Sequence, residues 1–195
     1  MVNQPIPFWN LPNILTLLRI AMIPVVAMLL IREPSATEAA IACVIFVVAM
    51  ITDIIDGYLA RKWNLMTPMG AYLDPLADKL MVITTMVMLI PLGWVPAWLV
   101  ALLICREVTI TGLRGIASQQ NLVIAASPTG KIKTAFQSTA LGMLLWHHPF
   151  PFPIIGETDV HSTGIVLLIV SLFFSLVSAA EYFWLYAVAA RASKA

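Results

Sequence analysis

Charge is what this sequence has least of. Only 11% of its 195 residues are Asp, Glu, Lys or Arg, against 61% hydrophobic, and the mean hydropathy is +0.93. A soluble domain carries roughly 25% charged residues. So few charges cannot cover a water-soluble globule, and that class is excluded. No basic run or arm is present and the formal net charge is +1, so no nucleic-acid partner is expected. Cysteine is nearly missing as well. Cys43 and Cys105 stand alone in separate apolar runs, which gives neither metal-ligand spacing nor a disulfide framework; both are read as small buried hydrophobes. The opening MVNQPIPFW has no charged n-region, and no small-residue cleavage site follows a short apolar core. The first apolar run is therefore expected to be retained in the membrane. There is no internal repeat and no low-complexity tract, so residues 1–195 are read as a single domain.

What the sequence has is apolar runs of spanning length. A membrane helix needs about 20 mostly apolar residues, and six segments qualify: 10–31, 37–61, 69–91, 95–117, 129–147 and 162–189. Breaks fall at Arg32-Glu33-Pro34, Thr67-Pro68, Pro91-Leu92-Gly93, Ser127-Pro128 and the Pro-rich stretch from His148 to Gly156. The expected fold is all-α, a bundle of six transmembrane helices behind a short interfacial segment carrying Ile6, Phe8 and Trp9. With a cytoplasmic N-terminus, the inside connections hold Arg61 and Lys62, the region from Arg114 to Lys133, and Arg191 with Lys194. The outside connections hold Arg32. That asymmetry follows the positive-inside rule and puts both termini in the cytoplasm.

Against this background four acids are expensive. Asp53 and Asp56 sit near the end of the second segment, Asp74 and Asp78 near the start of the third. Each intramembrane charge costs about 3 kcal/mol on insertion scales, so four simply added approach the order of 10 kcal/mol. The short link between the two segments makes them an antiparallel hairpin. At a rise of about 1.5 Å per residue, both pairs lie at a similar depth. Spacings of three and four place each pair on one helix face. Four converging carboxylates repel one another unless cations intervene. An all-oxygen ligand set suits Mg²⁺ or Mn²⁺ rather than Zn²⁺, and two such ions would stabilise a phosphoryl group in flight. Gly57, Ala60 and Gly70 interleave with the acids and leave room for a ligand against helix backbone. Arg61 adds a planar fork suited to phosphate oxygens. The competing reading is a cation transporter whose acids bind the transported ion, with Gly and Ala as helix-packing positions.

Read together, these residues form Asp53-x2-Asp56-Gly57-x2-Ala60-Arg61-x8-Gly70-x3-Asp74-x3-Asp78. This resembles the full signature of the CDP-alcohol phosphatidyltransferase family, and a chance match is on the order of 10⁻¹⁰ per start position. The transporter reading leaves Gly57, Ala60, Arg61 and Gly70 at signature spacing unexplained. The resemblance implies transfer of the phosphatidyl group of a CDP-linked lipid to an alcohol, with CMP leaving. It implies that Asp53, Asp56, Asp74 and Asp78 surround the metal site and that Asp78 is the general base. Gly57, Ala60 and Gly70 would accommodate the cytidine, with Asp56, Arg61 and Asn13 also toward the CDP-lipid. A homodimer and a bacterial inner membrane come with the resemblance too. His147, His148 and His161 fall on the outside connection and are read as solvated loop residues.

The acceptor is read from the other cations. Arg106 lies inside the fourth span and should face a cavity. With Arg114, Lys131 and Lys133 it makes an anion pocket beside the metal site, which favours an acceptor carrying its own phosphate. The alternatives are interfacial residues meeting anionic lipid, or pairing of Arg106 with Glu107 or an Asp. Lys79 and Arg19 are in the same way candidate counter-ions for the aspartates. Arg106-Glu107, Gly112-Leu113-Arg114, Gly130-Lys131-x-Lys133-Thr134-x2-Gln137, Asn10-x-Pro12-Asn13-x2-Thr16-x2-Arg19 and Asp74-Pro75-x-Ala77-Asp78-Lys79 are similar to stretches of family members that use sn-glycerol 3-phosphate. Inositol phosphate, serine and phosphatidylglycerol are the alternative acceptors.

Overall fold

Where a helix starts is decided by its caps. Asn10 accepts a hydrogen bond from the Asn13 amide with Pro12 in the first turn, and α1 runs Leu11–Leu29. Thr67 accepts from the Gly70 amide with Pro68 first in line, opening α3 at Pro68–Leu89. Both starts combine a side-chain cap with a proline whose missing N–H would have been unpaired anyway. The other helices are α2 (Ala36–Lys62), α4 (Ala97–Gln119), α5 (Pro128–Trp146) and α6 (Val160–Ala192). The computed structural model describes residues 9–63, 67–120, 122, 128–147, 150–152 and 156–192, with the side chains of Arg61, Pro128, Ala192 and both strands outside that description. The expected interfacial lead-in, apart from the exposed Trp9, and His148 and Lys194 also lie outside it.

All six expected segments are helices, with ends displaced by up to three residues. Among the described residues, three are long and apolar enough to cross a membrane: Leu11–Leu29, Ala36–Ala60 and Val160–Arg191. The protein is a multi-pass membrane protein. At about 1.5 Å per residue α6 is about 50 Å long, which exceeds a hydrocarbon core of about 30 Å. The Pro-rich stretch adds a feature not foreseen: β1 (Phe150–Phe152) pairs antiparallel with β2 (Gly156–Thr158). Asp159 then caps α6. The Ser162 hydroxyl and the amides of Ser162 and His161 bond to its carboxylate, and this holds its pKa below the usual carboxylate range.

Two compact units divide the chain, and each is described by itself. In the first, α1 lies against both α2 and α3, which touch each other far less. The expected α2–α3 hairpin therefore has a third helix at its centre. Arg19, Asn13 and Thr16 are buried along α1, a polar stripe in an otherwise apolar helix. After α3 the chain turns at Gly93, whose φ of +71° favours glycine. Trp94 stacks on His147, ring centroids 3.9 Å apart, so His147 is a packed ring rather than a solvated one.

The second unit holds α4, α5 as far as Leu144, the hairpin and α6. Leu99, Leu103, Leu141, Leu144 and Leu168 are buried in it, and Phe136 stacks on Phe174. A Cβ at Gly164 would meet Leu144 Cγ at 2.8 Å, so glycine sets how closely α5 and α6 approach. Cys43 is buried as expected, but Cys105 is exposed. An apolar side chain on a membrane helix needs no protein cover, because lipid tails are as apolar as leucine.

Candidate active site

Three of the four signature aspartates meet. Ligand oxygens of Asp53 and Asp56 on α2 and Asp74 on α3 lie within 4.8 Å of one another. Asp56 is buried, Asp53 and Asp74 half-buried. Arg19 of α1 holds them together. Its Nη1 donates to Asp53 Oδ1 at 2.7 Å and to Asp74 Oδ1 at 3.2 Å, and its Nη2 donates to Asp56 Oδ2 at 2.6 Å. The Arg19 side chain is fully buried. Asp78, one turn after Asp74, is half-buried and not part of the three-carboxylate group.

The donor set fits a hard divalent cation. It is all carboxylate oxygen with no sulfur or imidazole in the group. Among the described residues Asp56 Oδ1 is buried without a hydrogen-bond partner, an arrangement costly unless something pairs with it.

A cleft opens beside these acids. It is lined by Pro12, Asn13, Thr16, Asp56, Gly57, Ala60, Thr67, Gly70, Ala71 and Asp74. Gly57, Ala60, Gly70 and Asn13 are thus all in the wall, as the sequence reading expects. The Arg61 backbone belongs to α2, and its side chain lies outside the described residues.

Gly70 has a more specific reason than ligand room. A Cβ there would collide with Asn13 Oδ1 and come within 3.0 Å of Thr67 Oγ1. Asn13 Nδ2 donates to that same hydroxyl at 2.9 Å, as does the Gly70 amide at 3.0 Å. Glycine lets α1 and the start of α3 share one hydrogen-bonded corner. Gly70→Ala is expected to cost about 1–3 kcal/mol by overpacking, lowering the unfolding midpoint in detergent, because the Asn13 side chain must give way.

Lys79 lies on α3 in the first unit, whereas Arg106, Arg114, Lys131 and Lys133 lie in the second. Arg106 is held from one side by the Ser175 carbonyl (Nε, 2.9 Å) and the Ser178 hydroxyl, and from the other by Glu107 (3.2 Å). Lys133 is buried and pairs with the same Glu107 carboxylate at 2.5 Å. Of the readings open for Arg106, pairing with Glu107 is the one observed. Lys131 and Arg114 are exposed, with the Arg114 guanidinium 5.5 Å from the Tyr182 ring centre.

A family model described as CDP-alcohol phosphatidyltransferase matches residues 9–177, which contain the whole signature. The chain belongs to the CDP-alcohol phosphatidyltransferase family. Its relatives include the CDP-diacylglycerol–glycerol-3-phosphate 3-phosphatidyltransferase of Bacillus subtilis (strain 168), 39% identical over 186 residues, 90% of this chain and 94% of that protein. A probable phosphatidylglycerophosphate synthase of Mycobacterium tuberculosis (strain ATCC 25618 / H37Rv) is 37% identical over 175 residues, 89% of this chain and 79% of that protein. The cardiolipin synthase (CMP-forming) of Oryza sativa subsp. japonica is 40% identical over 185 residues, 86% of this chain but 55% of that protein.

Within this phosphatidyltransferase, sequence reasoning undervalued two sets of residues. Arg19 entered only as a candidate counter-ion, although a buried arginine in the middle of a spanning helix is a signal by itself. Ser171, Ser175 and Ser178 on α6 were passed over. All three are buried; Ser178 and the Ser175 carbonyl bind Arg106, while Ser171 donates to the Lys133 carbonyl. Their i, i+4, i+7 spacing marks one face of a helix. Thr129 also donates to Glu181 at 2.7 Å, a polar tie between the first turn of α5 and the middle of α6.

Proposed function

We propose that this phosphatidyltransferase moves the phosphatidyl group of CDP-diacylglycerol onto sn-glycerol 3-phosphate, giving phosphatidylglycerophosphate and CMP. The observation that carries the reading is the convergence of Asp53, Asp56 and Asp74 beside a cleft walled by Gly57, Ala60 and Gly70. The names of the Bacillus subtilis and Mycobacterium tuberculosis relatives support the acceptor. We take residues 1–195 as one catalytic domain, because the family match runs through both compact units.

In this reading the cleft takes the cytidine diphosphate while the diacylglycerol stays in the bilayer. Asp53, Asp56, Asp74 and Asp78 would hold Mg²⁺ or Mn²⁺, two ions in all, and that metal would supply charge neutralisation for the diphosphate. Asn13, Gly57, Ala60 and Gly70 seat the nucleotide, and Arg61 contributes a fork for its phosphates. Arg114 and Lys131 are exposed cations for the acceptor's phosphate, with Arg106 and Lys133 adding to the same positive field. Asp78 takes the proton of the glycerol C1 hydroxyl. That oxygen bonds to the phosphorus nearer the lipid, and the bond from this phosphorus to the bridging oxygen breaks with its electron pair leaving on CMP. Phosphoryl transfer of this kind needs positioning and charge neutralisation more than a protein nucleophile. The distribution of basic residues supports both termini and the aspartates on the cytoplasmic side, in a bacterial inner membrane, and we take the working form as a homodimer.

One other acceptor has an observation behind it. The rice relative named cardiolipin synthase matches most of this chain, so phosphatidylglycerol is the second candidate. CMP release by protein purified in detergent, with CDP-diacylglycerol and metal, separates the two. Release that requires glycerol 3-phosphate supports the proposal. Release with phosphatidylglycerol but not glycerol 3-phosphate overturns the acceptor and keeps the chemistry.

A further inference from the structure

Arg19 does more than the transfer reaction asks of it. Its fork reaches three carboxylates from two different helices, yet the residue is absent from the cleft wall, which Asp56 and Asp74 help to form. It therefore stands behind the acids and does not line the donor's seat. Each aspartate gives it one oxygen: Asp53 Oδ1, Asp56 Oδ2 and Asp74 Oδ1. Among the described residues, Arg19 Nε and Asp56 Oδ1 are buried with no hydrogen-bond partner. The guanidinium of Arg19 therefore puts one positive charge inside a cluster suited to a divalent cation.

We propose that Arg19 is a resident counter-cation that keeps the three aspartates together when no metal is bound and, by repulsion, lowers their affinity for metal. The proposal rests on the reading of these aspartates as metal ligands. Its physical content is a competition. Without metal, Arg19 supplies the opposite charge that buried carboxylates require. With metal, the same charge sits within a few ångströms of a dication and opposes it. Arg19 is thus a positioning residue: it acts through the aspartates and touches no substrate. A planar fork bridges three acceptors at once, which a lysine ammonium on a flexible stem does poorly.

The test uses full-length protein in detergent micelles, wild type beside Arg19→Gln and Arg19→Lys, with Mn²⁺ alone as the probe. Two quantities are read: the Mn²⁺ dissociation constant by calorimetry or electron paramagnetic resonance, and the unfolding midpoint in EDTA and in saturating Mn²⁺. Arg19→Gln is expected to bind Mn²⁺ at least about tenfold more tightly, from the lost repulsion. Its midpoint should fall by roughly 10 °C in EDTA and recover most of that in Mn²⁺. Arg19→Lys, which keeps the charge and loses the fork, should hold wild-type Mn²⁺ affinity with a smaller loss in EDTA, and it remains readable if the glutamine variant does not fold. Unchanged or weaker Mn²⁺ binding by Arg19→Gln would overturn the proposal, as would an equal loss of stability with and without metal. With a glutamine variant that does not fold, weakened Mn²⁺ binding by Arg19→Lys overturns it. Wild-type protein that takes up no Mn²⁺ would overturn the metal-site reading itself and this inference with it.

Discussion

Asp78→Asn should release CMP at about one-thousandth of the parent rate or less, while binding CDP-diacylglycerol nearly as well. General-base catalysis contributes on the order of 10²–10⁴ in rate, and the amide cannot take the proton of the attacking hydroxyl. The substitution changes shape little, and it leaves intact the Asp53, Asp56 and Asp74 group joined through Arg19. Donor binding measured by displacement of labelled CDP-lipid separates the base from its neighbours. Asp56→Asn, by contrast, should lose both turnover and donor binding, because that residue is buried, bonded to Arg19 and part of the cleft wall. Full activity in Asp78→Asn would remove it as the base and turn attention to the three gathered acids.

The second large effect lies in the other unit and reads out as stability. Glu107→Ala is expected to cost about 3 kcal/mol, since removing one partner from a buried ion pair leaves charge uncompensated. Here one carboxylate serves two cations, with Arg106 and Lys133 side chains only 9% exposed each. Glu107 itself is 23% exposed, which keeps the effect toward the low end of what such losses cost. Arg106 would retain its bonds to the Ser175 carbonyl and the Ser178 hydroxyl, whereas Lys133 loses its carboxylate. Chemical unfolding in mixed micelles should give the order wild type, Glu107→Gln, Glu107→Ala, the glutamine keeping hydrogen bonds without the charge. Equal stability of all three would mean that water or lipid headgroups compensate both cations.

The elements of this fold were legible because a bilayer imposes length and polarity on every helix. Apolar runs bounded by Thr67-Pro68 or Arg32-Glu33-Pro34 admit few other readings. The aspartates were legible for the same reason in reverse, each being too costly to lie idle in lipid. What spacing along the chain cannot give is which helix fills the middle. Asp53, Asp56 and Asp74 read as a two-helix site, yet α1 lies between their helices in the contact pattern and supplies the cation that joins them. Gly70 shows the same gap on a smaller scale. Its position beside the acids suggested room for a nucleotide, and its immediate neighbour is the side chain of Asn13, 57 positions earlier in sequence. The α6 serines escaped because one hydroxyl per turn barely lowers the hydropathy of a 33-residue helix. The β1–β2 hairpin escaped because three prolines between His148 and Gly156 read as a break rather than as paired strands.

The Arg19 junction also bears on how the chain enters a bilayer. A ribosome delivers α1 first, carrying an arginine near its midpoint, and α2 next, carrying two aspartates toward its end. Neither helix is at ease alone in hydrocarbon: an isolated central arginine costs about 2.5–3.5 kcal/mol on the insertion scale, and each carboxylate a similar amount. Joined, Arg19 pairs with Asp53 and Asp56, so the two helices are favoured to leave the translocon as one partitioning unit. Membrane insertion and the gathering of the acids then rest on the same three side chains, and a substitution at this point should lower the amount of protein inserted.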